Sequence, residues 1–362
     1  MKVYFVFAFF LVQKSFAQSY IPEVYHAKCG RPCIFQPYHI NSETLKSFPT
    51  NCTSACAYLL IDQSSDVTES QLTEAFKNMK TLYGTLDILK TNFKNVKFLA
   101  GLETVECETD DRLRIDDNDQ MTEIGMTNLT STSCEISFRG ISGSFEKLNL
   151  PKLKNFYTLN ASLPKQINMR IDGLSNFCLT VEEVTNFLSN DFLKLQIGRS
   201  MYCKTNITEV SDEKLCQIQN FTIANFDTTC KRVLGIIIIK PGDEEYVNNL
   251  KSVTWVYGRI LIFGTSLKSI DFFDSLEYVA EVDTVEFSIH IRDNEQLESV
   301  ALPKLKKVIG IIRLEGNHKN LFPDPSVCFE VNDSLNLTVF RKSTIDDSNC
   351  RESCYTKYFF YF

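Results

Sequence analysis

Thirteen cysteines and four histidines carry most of the chain's obvious chemistry. Three cysteine pairs share C-x3-C spacing: Cys29/Cys33, Cys52/Cys56 and Cys350/Cys354. Thiolates at Cys29, Cys33, Cys52 and Cys56 would suffice for a closed tetrahedral zinc site. Disulfides compete for the same thiols, and the redox compartment decides between the two. A disulfide framework pairs Cys29 and Cys33 with Cys52 and Cys56 in either order. It adds Cys107 with Cys134, Cys178 with Cys203, Cys216 with Cys230, and Cys328 with Cys350 or Cys354, leaving one thiol over. The acidic stretch Asp110-Asp111 and Asp116-Asp117-Asn118-Asp119 invites calcium. It lacks the glycine and closing glutamate of an EF-hand loop, so a structural turn is expected instead. Gly140-Ile141-Ser142-Gly143-Ser144 approaches a nucleophile elbow without its final glycine, and no H-E-x-x-H, P-loop or dinucleotide fingerprint occurs. His26, His39, His290 and His318 are scattered, with no neighbouring carboxylate or cysteine at metal-ligand spacing. No catalytic residue, metal ion or cofactor is therefore expected.

The compartment that settles the cysteine question is legible at the N-terminus. Met1-Lys2, the apolar run Val3–Val12 and the small residues Ser15 and Ala17 form a secretory signal, expected to span residues 1–17 and be cleaved after Ala17. That run is too short to span a bilayer, as are Gly235–Ile239 and Tyr358–Phe362. Seven sequons are candidate N-glycosylation sites: Asn51, Asn128, Asn160, Asn206, Asn220, Asn332 and Asn336. The formal net charge is -7 and no basic block occurs, which disfavours a nucleic-acid partner. A secreted glycoprotein with disulfides fits all of these features.

The elements that position these residues repeat. Leu82-Tyr83-Gly84-Thr85-Leu86-Asp87-Ile88 aligns without gaps to Val256-Tyr257-Gly258-Arg259-Ile260-Leu261-Ile262, and the match runs on to Leu102–Val105 against Leu276–Val279. Ile115–Met121 matches Ile291–Leu297, and Leu150-Pro151-Lys152-Leu153-Lys154 recurs unchanged at Leu302–Lys306, so the first half holds one additional coil. Short alternating apolar runs are expected as strands at Leu59–Ile61, Leu86–Ile88, Leu113–Ile115, Ile136–Phe138 and Tyr157–Leu159. In the second half they fall at Ile236–Ile239, Ile260–Ile262, Ile289–Ile291, Ile311–Leu314 and Leu335–Val339. A single such rung cannot bury its own apolar face, so the rungs stack. The expected fold is a β-solenoid, a right-handed parallel β-helix of leucine-rich-repeat type, with short capping helices at Glu69–Met79 and Val181–Leu188.

Alternation along the first-half rungs turns Tyr58, Leu60, Thr85, Asp87, Leu89, Arg112, Arg114 and Asp116 outward as a ligand-binding face. Its mixture of aromatic, aliphatic and charged residues suits a peptide or protein partner. The second-half counterparts are Arg259, Leu261, Phe263, His290 and Arg292.

Two cysteine-closed solenoid halves resemble the receptor L domains of the insulin-receptor and EGF-receptor families. The carrying residues are the Tyr83-Gly84 and Tyr257-Gly258 rungs, the segments Leu102–Val105 and Leu276–Val279, the Asp-Asn-x-x-apolar turns, and the closing Phe177-Cys178-Leu179-Thr180 and Val327-Cys328-Phe329-Glu330. The likeness is greatest to the nematode group of such proteins, which lack a kinase. It implies L domains at 29–205 and 216–354 and a short tail at 355–362. The chain differs from the receptors in having only a short Cys203–Cys216 connector where they carry a cysteine-rich module, and neither a membrane helix nor a kinase follows. The resemblance implies a secreted, non-enzymatic protein that binds extracellular peptide hormones or receptor ectodomains and modulates insulin- or EGF-type signalling. The alternative is a structural or adhesive glycoprotein, and homo- or hetero-dimerisation is compatible with either.

Overall fold

The computed structural model describes residues 21, 23–108, 111–140, 145–159, 166–173, 177–218, 222–283, 286–319 and 321, and the backbone of Thr344–Ile345. The expected signal segment 1–17, the expected tail 355–362, Asp110, residues 141–144 of the serine motif, Cys328, Cys350, Cys354, Asn160, Asn220, Asn332, Asn336 and the expected strand Leu335–Val339 lie outside the described residues.

Two nine-residue strands, Ser54–Asp62 and Thr81–Leu89, open the first half and pair parallel along their whole length. The second then serves two sheets at once. Its first residues lead to Thr104–Glu106, Ser131–Thr132 and Asn155–Phe156; its last lead to Arg112–Asp116, Glu135–Arg139, Ile167–Asp172 and Leu193–Ile197. The chain turns the corner between these faces at Gly84, where φ is +136°. A Cβ there would stand 2.0 Å from the carbonyl oxygen of Ala57 on the neighbouring rung. The second half repeats the device. Arg232–Ile239 pairs with Trp255–Phe263, Gly258 (φ +136°) opposes Gly235, and the chain fans into Tyr278–Ala280 and Lys307–Ile309 on one side and Phe287–Arg292 and Ile311–Glu315 on the other. The Tyr-Gly match therefore marks a corner where only glycine avoids both backbone clash and strain.

Among the described strands the pairing is parallel, giving a solenoid-like arrangement of several sheets. The exception is the hairpin of Glu209–Val210 with Glu213–Ile218 that joins the halves. Parallel in-register stacking places like on like. Leu86, Ile88, Leu113, Ile115, Ile136, Phe138, Met169 and Ile171 are all buried in the first core, and Ile260, Ile262, Ile289 and Ile291 in the second.

Both expected capping helices start at capping boxes, Thr68 with Gln71 and Thr180 with Glu183, and a shorter helix, Glu23–Cys29, precedes them. Val181–Leu188 is helical as expected, whereas the first capping helix ends at Phe76 instead of Met79. One strand expectation is corrected. The pairing residues are Asn155–Phe156, on the smaller sheet; the Tyr157 N–H makes the last ladder bond, to the Thr132 carbonyl, its hydroxyl donates to Glu106, and Thr158 and Leu159 lie beyond the strand. The main sheet instead continues with Ile167–Asp172 and Leu193–Ile197.

The two halves pack directly on each other. Trp255, Tyr257, Tyr278, Ala280, Val282 and Ile309, from the smaller sheet of the second half and its margin, belong to the first core. The Tyr257 hydroxyl lies 2.6 Å from Thr185 Oγ1 and accepts from Arg232 Nη1 at 2.5 Å. Lys307 donates to the Asn190 carbonyl. The smaller sheets of the two halves are roofed alike. Tyr25 packs on Tyr83 and its hydroxyl donates to the Glu106 carbonyl at 3.3 Å. In the second half, Tyr202 packs on Tyr257 and donates to the Ala280 carbonyl at 2.7 Å.

Candidate binding face

Register across the first-half main sheet sets outward residues in rows. Leu60, Asp87, Arg114, Ser137, Arg170 and Gln196 form one row. Asp62, Leu89, Asp116, Arg139 and Asp172 form the next. Arg112 opposes Glu135 and Asn168 opposes Lys194 in a third row. Tyr58, Leu60, Thr85, Leu89 and Arg114 are half-buried and Arg112 is exposed, in keeping with an outward face.

Asp87 and Asp116 depart from that expectation. Both stand on this side of the sheet, but at 8% and 5% exposure they are buried. The cause is the neighbouring rung. Arg114 Nε donates to Asp87 at 2.9 Å and Tyr38 OH at 3.1 Å. Asp116 accepts from the Ser137 hydroxyl, the Arg139 backbone N–H and Arg139 Nη2. The carboxylates are thus submerged beneath guanidinium groups. Burial raises the Asp116 carboxyl above its usual range despite the bonds from Arg139 and Ser137. Burial, then the Asp87 charge and hydrogen bond, push the Tyr38 hydroxyl up to about 12. At the upper edge Asp62 lies 3.0 Å from His39 Nε2; burial would raise its carboxyl, but bonds from Ser64 and His39 hold it low. Tyr38, Ser137, Arg139, Arg170 and Lys194 were missing from the face read off the sequence. The alternation around Ile136 and Phe138 would have exposed Ser137 and Arg139, whereas nothing local marks Tyr38, which joins through the backbone of Leu60.

The acidic stretch forms a turn. Asn118 is fully buried: its Oδ1 accepts from the Thr91 N–H (2.9 Å) and hydroxyl (2.7 Å), and its Nδ2 donates to the carbonyls of Ile88 and Asp116. Asn294 makes the same bonds to Thr265, Ile262 and Arg292. Asp117 and Asp293 carry the left-handed φ of each turn.

Among the described residues five disulfides close the framework: Cys29–Cys56, Cys33–Cys52, Cys107–Cys134, Cys178–Cys203 and Cys216–Cys230. They fix the order left open at the N-terminus and consume the four thiols of the zinc reading. Cys216, Cys230 and Asp227 lie close enough together to ligate a metal, but both sulfurs are in a disulfide. Two histidines acquire carboxylate neighbours only through the fold, His39 with Asp62 and His290 with Glu315 at 2.8 Å. Of the described sequons, Asn51 and Asn206 are exposed. Asn128 is half-buried, with Nδ2 on the Ala100 carbonyl and Oδ1 on Lys152. None of the three stands on a strand of the main sheet.

On the second-half main sheet, Ile236 and Ile238 are exposed, Leu261 and Phe263 half-buried, Arg292 lies over Phe263 and Arg313 over Phe287. A cleft of about 440 Å³ beside the second capping helix is lined by Lys152 and Lys154 but also by Glu182 and Glu209, so it presents no single sign of charge.

The family model for the receptor L domain matches residues 51–141 and 229–342; the first match runs from Ser54–Asp62 through Glu135–Arg139 and stops before Ile167–Asp172 and Leu193–Ile197, and the second takes in the described strands from Arg232–Ile239 to Ile311–Glu315. The chain belongs to the receptor L-domain family. The first of its two L domains turns its corner at Gly84 opposite Ala57 and the second at Gly258 opposite Gly235, and each contains one buried-asparagine turn. No curated protein matches the chain. Five disulfides and membership of this family fit an extracellular, ligand-binding role. Among the described residues no helix is long and apolar enough to cross a membrane.

Proposed function

We propose that this is a secreted, non-enzymatic L-domain glycoprotein that captures an extracellular peptide or receptor ectodomain on the first L domain and thereby modulates insulin- or EGF-type signalling. The observation that carries the reading is the in-register outer face, where Tyr58, Leu60 and Leu89 stand beside Arg112 and Arg114. Tyrosine and arginine are among the side chains that dominate binding energy in protein interfaces, and Leu60 and Leu89 add apolar area beside them. The described sequons lie off this face, which would leave it accessible in a glycosylated chain. In this reading the L domains extend over 29–205 and 216–354, each a right-handed solenoid of leucine-rich-repeat type.

The test is capture of insulin-like peptides, EGF-like peptides and the matching receptor ectodomains by the secreted glycosylated chain. Saturable capture that Leu60→Ala and Arg114→Ala weaken supports the reading. Capture that ignores both substitutions moves the site elsewhere, and no capture removes the hormone-family assignment. Exposed Ile236 and Ile238 favour a second reading, adhesion through the second L domain. Concentration-dependent dimerisation abolished by Ile238→Glu would support it.

A further inference from the structure

The first L-domain face has two unlike ends. Toward the start of the stack it offers Tyr38, Tyr58, Leu60 and Leu89, all half-buried. Further along it carries Arg112, Arg114, Arg139, Arg170 and Lys194. Four acids share this part with the bases: half-buried Glu135 opposes Arg112, half-buried Asp172 pairs with Arg170 at 2.5 Å, and the other two are hidden. Asp87 and Asp116 are submerged below the cations that cover them, so carboxylate lies underneath and guanidinium on top. Arg112 and Lys194 are exposed and pair with no carboxylate among the described residues. Arg112 and Arg114 sit two positions apart on one strand, hence about 7 Å apart at the backbone. Alternate side chains of an extended polypeptide have the same spacing.

We propose that this face takes an extended polypeptide segment carrying acidic side chains at alternate positions next to a large apolar residue. The apolar residue seats against Leu60 and Leu89, and the carboxylates meet the outer N–H groups of Arg112 and Arg114, with Lys194 extending the cationic end. The inference rests on the reading of this face as the ligand site and adds the chemistry of the partner. A sulfated polysaccharide would use the cations but leave the apolar end idle, which is why a polypeptide is favoured.

The test selects random displayed dodecamers on the full secreted chain, then measures the enriched peptides by fluorescence anisotropy. Arg112→Gln/Lys194→Gln is the test variant, since both residues are exposed and unpaired, and Lys251→Gln is the control. Expected are enriched peptides with Asp or Glu at alternating positions beside Leu or Phe. Amide replacement of their acids should weaken binding roughly tenfold, as should the double substitution, while Lys251→Gln leaves it unchanged. Enriched peptides that are neutral or basic, yet lose affinity with Leu60→Ala, overturn the acidic class and leave the face as the site. Acidic peptides indifferent to both Leu60→Ala and the double substitution overturn the face as well. No enriched peptide overturns the inference, as does retention on a heparin column at physiological salt that the double substitution abolishes.

Discussion

Asn118→Ala tests whether the Asp-Asn turn is structural rather than a cation site. The side chain is fully buried and makes four hydrogen bonds at 2.7–3.0 Å. Truncation strands the Thr91 N–H and the Thr91 hydroxyl. It also removes a donor from the Ile88 carbonyl, whereas the Asp116 carbonyl keeps the Lys90 N–H. Each buried group left unpaired costs about 1–3 kcal/mol, and the vacated amide is too enclosed for bulk water to compensate fully. The expected loss is about 3–5 kcal/mol. Urea denaturation of the purified chain followed by circular dichroism, with intact disulfides confirmed, measures it. Asn294→Ala should cost a similar amount, because its bonds to Thr265, Ile262 and Arg292 repeat the pattern. A loss below about 1 kcal/mol for Asn118→Ala would refute the reasoning, as would calcium-dependent stability that the substitution removes.

Three further outcomes are expected. Gly84→Ala combines a backbone contact of 2.0 Å with positive φ and should destabilise by about 3–5 kcal/mol, read by thermal unfolding; Gly242→Ala, with open space around it, should cost distinctly less. Glu183 accepts the Leu150 N–H at 2.9 Å while capping the second capping helix, so Glu183→Ala should cost about 2–4 kcal/mol and Glu183→Gln clearly less in the same denaturation assay. Burial acts to raise the Glu123 carboxyl, but bonds from Lys97 and Asn149 outweigh it and hold the group low. Its stabilisation is therefore complete above the ordinary carboxylate range and lost as pH falls through the lowered folded value; the advantage of wild type over Glu123→Gln should persist at pH 7 and shrink below about pH 4.

The repeat was legible because burial leaves a direct trace: Leu86, Ile88, Leu113 and Ile115 alternate with outward residues, and Tyr-Gly recurs where the corner admits no side chain. The second capping helix was legible from its apolar stripe and from Thr180 with Glu183. What escaped depended on distant pairing. Asp87 and Asp116 look like exposed strand residues until register places arginines over them. The order of the N-terminal disulfides was open because both pairings close loops of similar size. The strand Ile167–Asp172 alternates well, yet its long separation from Glu135–Arg139 broke the repeat period. Docking of Tyr257 and Tyr278 onto the preceding half left no local signal, since buried aromatics read alike in a domain core and a domain interface.

The paired roofs carry a consequence for how the chain is made. Tyr25 covers Tyr83 and the Glu106 carbonyl, and Tyr202 covers Tyr257 and the Ala280 carbonyl, so each half is completed by a segment emerging before it. For the second half that segment is held by the Cys178–Cys203 bridge at the end of the first. During synthesis from the N-terminus, the first half can finish while the second is still being added. The later strands then meet a finished template bearing Thr185, Ser200 and Tyr202. Assembly acquires a direction, and an isolated second half would leave Tyr257, Ala280 and Val282 facing water.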